Sequence, residues 1–135
     1  MLSESGLRGE REHGRALEEL HSQLKAIFSN SNQGIYLYHD DTHRVCNKRY
    51  ASLLGYGSPP EWARLRGGLL ERTVAKKSQS SLISAYREAV EHYVGSTIKV
   101  VWKKKAGGEV ETQVTLVPVT HRGHTFALHF ISPSS

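Results

Sequence analysis

The sequence predicts an α+β fold in which helices are collected on one face of an antiparallel sheet. Two observations point to this class. From residue 98 to residue 130, apolar and polar residues alternate with the period of two that strands show. Before that stretch, residues 47–95 carry apolar residues at helical spacing, separated by glycine and proline turns. The length of 135 residues suits one domain of ordinary size.

The N-terminal part divides into a polar leader and a short amphipathic helix. Residues 1–15 are charged and contain glycine without apolar periodicity, which predicts a flexible leader. Residues 16–29 predict a helix, because its apolar residues recur three or four positions apart. These residues are Leu17, Leu20, Leu24 and Ile27. A seam of about two heptads is not stable alone in water, so it packs on its own domain, on a second copy, or on both.

A hairpin and several helices are expected next. Residues 34–38 and 43–46 are short β-prone runs joined by an acidic turn, which predicts two strands. Asn47 suits the N-cap of the following helix, and Gly55 suits its left-handed C′ position. Ser58 begins a capping box with proline at the first helical position. A longer helix spans about residues 80–94 and is closed by Gly95.

Three strands joined by glycine turns complete the chain. Each strand has one mainly apolar face, as expected for a sheet with a covered side. In order, these faces are Ile98, Val100 and Trp102; Val110, Thr112, Val114 and Leu116; and Phe126, Leu128 and Phe130.

Several motifs, in this order and spacing, resemble the PAS family. Residues 47–56, NKRYASLLGY, resemble the family's N-x-A-[FY]-x-x-L-x-G-Y helix, and residues 58–61 continue with its S-x-x-E. Residues 103–107 resemble the R-R-K-D-G hairpin, and residues 115–119 resemble the strand that follows it. Arg49 and Ala106 depart from the family pattern, but neither removes an apolar position. The resemblance covers about residues 24–132 and places a PAS domain at 30–132, with a tail at 133–135.

The resemblance implies a particular sheet and a particular role. The sheet has five antiparallel strands in the order 2-1-5-4-3, with the central helices forming a pocket over its inner face. The N-terminal helix often mediates homodimers in this family. Such modules regulate a kinase, a cyclase or a transcription regulator. The chain is therefore expected to be a sensory and dimerisation module of a bacterial-type signalling protein, which binds a small ligand or another protein. A ligand-free structural dimerisation domain is the alternative.

The candidate pocket residues are apolar and aromatic residues on the predicted inner faces. They are Tyr50, Leu54, Tyr86, Val90, Ile98, Val100, Trp102, Leu116 and Leu128. The same spacing is typical of an ordinary core. In a pocket, the polar tips of the aromatic residues would select a small amphipathic ligand.

Two cofactors known in the family can be judged by residue position. Haem sensors of this family take their axial histidine from the helix that corresponds to residues 80–94, so the resemblance makes His92 the candidate ligand of a gas or redox sensor. Flavin photosensors carry a reactive cysteine in an Asn-Cys-Arg motif after the N-x-A-F helix. Here Cys46 precedes Asn47, so flavin photochemistry is not predicted.

Histidines in two turns suggest a metal site. If the first and last strands are antiparallel neighbours, His39 and His43 lie beside His121 and His124. Imidazole and carboxylate groups brought together in this way bind Zn²⁺ or Ni²⁺. Ordinary solvated turns are the alternative, because such residues are common in polar turns.

Composition argues against several other functions. The net charge is +5, but the basic residues are spread along the chain and form no nucleic-acid-binding motif, so nucleic-acid binding is not expected. No apolar run reaches the roughly 20 residues that cross a bilayer, and the single Cys46 favours a reducing compartment. We therefore expect a cytoplasmic protein. Since no nucleophile elbow, phosphate-binding loop or HExxH motif occurs, an enzyme is not expected.

Overall fold

A computed structural model describes residues 4–134 of the chain, with side chains from residue 11 onward. The helices are α1 (Glu4–Gln23), α2 (Lys25–Asn30), α3 (Lys48–Leu53), α4 (Pro59–Ala63), α5 (Leu69–Thr73) and α6 (Lys76–His92). The strands are β1 (Gly34–Asp40), β2 (His43–Cys46), β3 (Ser96–Lys103), β4 (Glu109–His121) and β5 (His124–Pro133). Residues 1–3 of the predicted leader and residue 135 of the predicted tail lie outside the described residues.

The five strands form one antiparallel sheet in the order β2-β1-β5-β4-β3, which confirms the predicted order. One face of the sheet packs with α3, α4, α5 and α6 in the larger core cluster. The other face packs with α1 and α2 in a smaller cluster. We call these the inner and the outer face. No helix within residues 4–134 is long and apolar enough to cross a bilayer.

The N-terminal segment differs from the prediction of a leader followed by one helix. From Glu4 onward the segment is helical, and the chain breaks at Leu24 into α1 and α2. The cause is packing further along the same helix, where Ala16, Leu17 and Leu20 are buried against the outer face. Once that part is fixed, extending a helix costs far less than starting one. The helix therefore extends from Ala16 back toward Glu4, although the residues in this stretch are mostly polar.

The same packing shows that most of the apolar seam lies against its own domain. Leu17 and Leu20 are buried with Phe126 and Leu128 of β5, within one chain. Leu24 is partly buried in this cluster, whereas Ile27 is 47% exposed. Only the end of the seam is thus available to a second copy, and the homodimer stays a prediction.

Asn47 connects three elements through one buried side chain. Its Oδ1 accepts hydrogen bonds from the backbone N–H groups of Tyr50 and Ile35, both at 2.9 Å. Its Nδ2 donates to the carbonyl oxygens of Phe28 at 3.2 Å and Gln33 at 3.0 Å. The predicted N-cap of α3 is confirmed, and the same residue also fixes the end of α2 and the start of β1.

The end of α6 differs from the expected glycine cap. Tyr93 adopts the left-handed conformation with φ 58°, and the N–H of Val94 donates to the carbonyl of Glu88 at 3.0 Å. Gly95 has another role, because a Cβ there would lie 2.9 Å from the carbonyl oxygen of Leu116. The glycine allows the α6–β3 connection to approach β4 closely.

Replacing Asn47 with alanine should destabilise the fold by about 3–5 kcal/mol, because it removes a cap and leaves buried backbone groups unpaired. The affected groups are the N–H of Ile35 and the carbonyls of Phe28 and Gln33. Urea unfolding followed by circular dichroism measures the loss.

A matched control is the N-cap of α4. Ser58 accepts one hydrogen bond, from the N–H of Glu61 at 3.3 Å, so Ser58→Ala should cost only about 1 kcal/mol. Equal losses for the two variants would show that Asn47 acts as a cap and not as a connection between elements.

Candidate functional site

A cavity of about 160 Å³ lies between the inner face of the sheet and helices α5 and α6. The sheet contributes side chains from β1, β3 and β5, and α3 contributes one more. The lining residues are Tyr36, Tyr38, Tyr50, Leu69, Leu70, Thr73, Val74, Leu82, Ile83, Tyr86, Trp102 and His129.

The structure distributes the predicted pocket residues over several environments. Those on the cavity wall are Tyr50, Tyr86 and Trp102. Others belong to the inner core without lining the cavity, namely Leu54, Val100, Leu116 and the partly buried Ile98. Val90 is half-buried on α6 and does not line the cavity.

Leu128 was assigned to the wrong face of the sheet. It is buried on the outer face with Leu17, Leu20 and Phe126, whereas the neighbouring His129 lines the cavity. The sequence prediction is wrong here because it places the more apolar face of β5 toward the helical pocket. In the structure that face is covered by α1, and the less apolar face points inward.

The wall contains a group of aromatic rings in contact. Tyr36 stacks on His129 with ring centroids 3.8 Å apart and an interplanar angle of 13°. The rings of Tyr36 and Tyr50 are 4.9 Å apart, and the ring of Trp102 is 5.5 Å from that of Tyr50. The Trp102 indole N–H donates to Thr112 Oγ1 at 2.7 Å. These contacts fix the orientation of the rings that face the cavity.

The ionisable groups of the wall are held neutral. Burial raises the pKa of Tyr36 and of Tyr50 well above the usual range, so both phenols stay protonated. Burial lowers the pKa of His129 to about 3. The Nδ1–H of His129 donates to the Ala127 carbonyl at 3.0 Å, which leaves Nε2 as a hydrogen-bond acceptor. The lining residues all belong to the described part of the chain, and no Asp, Glu, Lys or Arg is among them.

The two cofactor candidates lie outside this wall. His92 is exposed at the C-terminal end of α6 and does not line the cavity. A haem is also much larger than a cavity of about 160 Å³, so the geometry does not support haem bound through His92. Cys46 is buried at the end of β2, and burial raises the pKa of its thiol to about 12, which leaves it unreactive.

A group of histidines lies at the end of the sheet where β1 and β5 meet α1. The structure brings the predicted His39, His43 and His124 together and adds His13 from α1. The ring of His13 lies 4.6 Å from that of His39 and 4.5 Å from that of His124. Sequence analysis missed His13 because it falls in the predicted leader. Burial and the neighbouring imidazoles lower the pKa of His124.

His121 does not join this group. Its Nε2 lies 3.2 Å from Glu19 Oε2, and the same carboxylate pairs with Arg122. Glu19 belongs to α1, so this contact also ties the helix to the β4–β5 turn.

Comparison with solved structures identifies the fold. A PAS domain of a two-component sensor histidine kinase is 13% identical, with a TM-score of 0.63, covering 87% of this chain and 99% of that one. A PAS domain from Colwellia psychrerythraea is 17% identical, with a TM-score of 0.65 and coverages of 85% and 97%. The PAS domain of a LuxR-family transcriptional regulator from Burkholderia thailandensis, in complex with ethanol, is 15% identical, with a TM-score of 0.59 and coverages of 81% and 95%.

The chain therefore has the PAS fold, as the motifs predicted. At these identities the likeness shows the fold and not a ligand or an output. No family model matches the chain, and no curated protein matches it in sequence.

His129 should make stability depend on pH. Because its pKa is about 3 in the folded protein and about 6.5 in the unfolded chain, only the unfolded state gains a proton in this interval. The full free energy of unfolding is therefore present above pH 6.5. As the pH falls from 6.5 toward 3, His129 lowers the free energy of unfolding by up to about 1.4 kcal/mol per pH unit. Urea unfolding of wild type and of His129→Gln between pH 7 and pH 4 measures the slope.

His129→Gln should lose less free energy of unfolding than wild type between pH 7 and pH 4. His92→Gln, which changes an exposed histidine, is the control and should keep the wild-type slope. If wild type and His129→Gln show the same slope, the neutral buried imidazole is not the cause.

Proposed function

We propose that the chain is a sensory PAS module whose cavity binds a small, uncharged, aromatic ligand that carries a hydroxyl group. The observation that carries the proposal is the wall itself, which is aromatic and neutral and lies between the sheet and two helices. We infer binding and not catalysis, because no aspartate or glutamate is among the described residues that line the cavity.

Cavity size limits the ligand to about one aromatic ring. The volume of about 160 Å³ is close to the roughly 150 Å³ of an engineered apolar cavity that holds benzene. Ligands with several fused rings exceed this space unless the helices move. The size therefore favours a compact molecule over a porphyrin or a flavin.

The neutral wall selects against charged molecules. An ion moved from water into this cavity would lose its hydration without finding a partner of opposite charge, which is unfavourable by several kcal/mol. A ligand hydroxyl, in contrast, can donate to His129 Nε2 and accept from the neutral hydroxyl of Tyr36 or Tyr50. Phenol has both the size and the hydrogen-bonding groups that these residues favour.

Two structural neighbours support a sensory role. One is the PAS domain of a sensor histidine kinase. The other is the PAS domain of a LuxR-family regulator in complex with ethanol, which is a small hydroxyl compound. We infer that the effector of this chain is a kinase or a transcription regulator. A ligand-free dimerisation domain is the alternative function, and a binding experiment separates the two.

Phenol should raise the melting temperature of the protein, and benzoate, which is charged at pH 7, should not. A ligand at 100 times its Kd stabilises the folded state by about 2.7 kcal/mol. Thermal unfolding and calorimetric titration at pH 7 measure the effect.

A pair of leucine variants localises the binding. Leu70→Phe fills the cavity and should abolish the phenol effect, whereas Leu65→Phe, at a half-buried leucine outside the wall, should retain it. Equal binding of benzoate and phenol, or binding that survives Leu70→Phe, would contradict the proposed ligand class. No phenol binding at all would favour the ligand-free alternative.

We also propose that the module forms a homodimer through the end of the N-terminal seam. Leu24 is only partly covered and Ile27 is 47% exposed, so both present apolar surface beside the junction of α1 and α2. Burying one such side chain contributes about 1.5–3 kcal/mol.

Ile27→Asp should shift the protein from dimer to monomer in sedimentation velocity, because it places a charge in the interface. Tyr93→Asp changes another exposed side chain, at the end of α6, and should leave the dimer intact. A monomeric wild-type protein, or a dimer unaffected by Ile27→Asp, would exclude this interface.

A further inference from the structure

The geometry points to a zinc site at the end of the sheet, formed by His13, His39 and His124 with Asp40 as the fourth ligand. The site joins α1 to the end of β1 and the start of β5. It lies outside the ligand cavity and does not depend on the function proposed for that cavity.

The three histidines lie near the spacing that one shared ion requires. One ring nitrogen from each of His13, His39 and His124 lies within 4.8 Å of the others. With Zn–N bonds of about 2.0–2.1 Å, a tetrahedral ion needs nitrogens about 3.4 Å apart. These three half-buried side chains can close a gap of at most about 1.4 Å by small rotations.

Hydrogen bonds select the free nitrogen of His39. Its Nδ1–H donates to the carbonyl of Thr125 at 3.2 Å, so the Nε2 lone pair remains available to a metal. Histidine ligands of zinc commonly donate their second N–H to a carbonyl or a carboxylate, which fixes the tautomer and the ring orientation. This contact therefore supplies the outer hydrogen bond of a zinc ligand.

Asp40 lies close to two of these three histidines. Its Oδ1 accepts from the Thr42 N–H and hydroxyl, both at 2.9 Å, and lies 2.8 Å from Nδ1 of His43. Its other oxygen, Oδ2, lies 4.0 Å from Nε2 of His39. Asp40 is also close to His13, since these two residues and His43 form a second group within 4.8 Å. One oxygen is thus held by the turn while the other lies near His39.

An unpaired nitrogen of His13 supports the site independently of these distances. Its Nδ1 is buried and has no hydrogen-bond partner among the described residues. A buried polar nitrogen without a partner is unfavourable by about 1–3 kcal/mol and is uncommon in folded proteins. A metal ion bound between His13, His39 and His124 would satisfy such a nitrogen.

Zinc is the expected ion because three imidazoles and one carboxylate match its preference for nitrogen and oxygen ligands in tetrahedral geometry. Calcium and magnesium prefer sites made of oxygen ligands only. Once bound, the ion would fasten α1 to two strands. His39 also accepts a hydrogen bond from the Tyr86 hydroxyl at 2.7 Å through its carbonyl, so the site is one residue away from the cavity wall.

Calorimetric titration of ZnCl₂ into the full chain, without a polyhistidine tag, tests the site. We expect binding of one Zn²⁺ per chain with micromolar or tighter affinity. His13→Ala and His124→Ala should each weaken it at least tenfold, since the loss of even an outer contact commonly weakens metal binding 10- to 100-fold. Zinc should also raise the melting temperature of wild type more than that of either variant.

Control variants at two other histidines distinguish a defined site from general surface binding. His121→Ala alters the neighbouring turn, where the imidazole contacts Glu19, and His92→Ala alters an exposed histidine on α6. Both should bind zinc as wild type does. Circular dichroism of each apo variant confirms that it is folded, and a visible band with Co²⁺ that is lost in His13→Ala reports the same ligands independently.

Three results would overturn the proposal. The first is no zinc binding to wild type below millimolar concentration. The second is unchanged affinity in folded His13→Ala and His124→Ala. The third is an equal loss of affinity in His121→Ala, which would place the ion at the predicted turn and not at α1.

Discussion

The arrangement of the whole inner face depends on the side chain of Asn47. It uses both lone pairs of its oxygen and both N–H groups of its amide to hold α2, β1 and α3 in one position. Gly34 belongs to the same junction, because a Cβ there would lie 3.2 Å from Cα and Cβ of Tyr50. With the strand and the helix this close, the rings of Tyr36 and Tyr50 meet at 4.9 Å and form one wall of the cavity.

The sheet separates two environments, and β5 shows how. Its side chains alternate between an outer face of Phe126 and Leu128 under α1 and an inner face that includes His129 and Ile131. Apolar contact on the outer face attaches the N-terminal helix firmly. The inner face can then carry a neutral histidine, whose ring stacks on Tyr36 and whose Nδ1–H donates to the Ala127 carbonyl. A neutral polar wall is thus compatible with a stable fold.

Local signals in the sequence predicted the elements well, while long-range packing decided the rest. The caps at Asn47 and Ser58 follow from short-range hydrogen bonding and are confirmed, and the sheet order followed from the PAS-like motifs. Leu128 was misplaced because the period of two shows which residues share a face and not which layer covers that face. His13 was missed because the helix that carries it is extended by packing at Leu17 and Leu20, outside its own sequence pattern.

The end of β1 connects the two regions that carry the chemistry. Tyr36 and Tyr38 line the cavity, and the next residue, His39, turns its ring toward α1 and His124. The Tyr86 hydroxyl holds the His39 carbonyl at 2.7 Å from within the cavity wall. A ligand that displaces Tyr86 therefore acts on the backbone that positions His39. The ring of His13 in α1 lies 4.6 Å from the ring of His39, so two contacts connect Tyr86 in the cavity wall with the N-terminal helix.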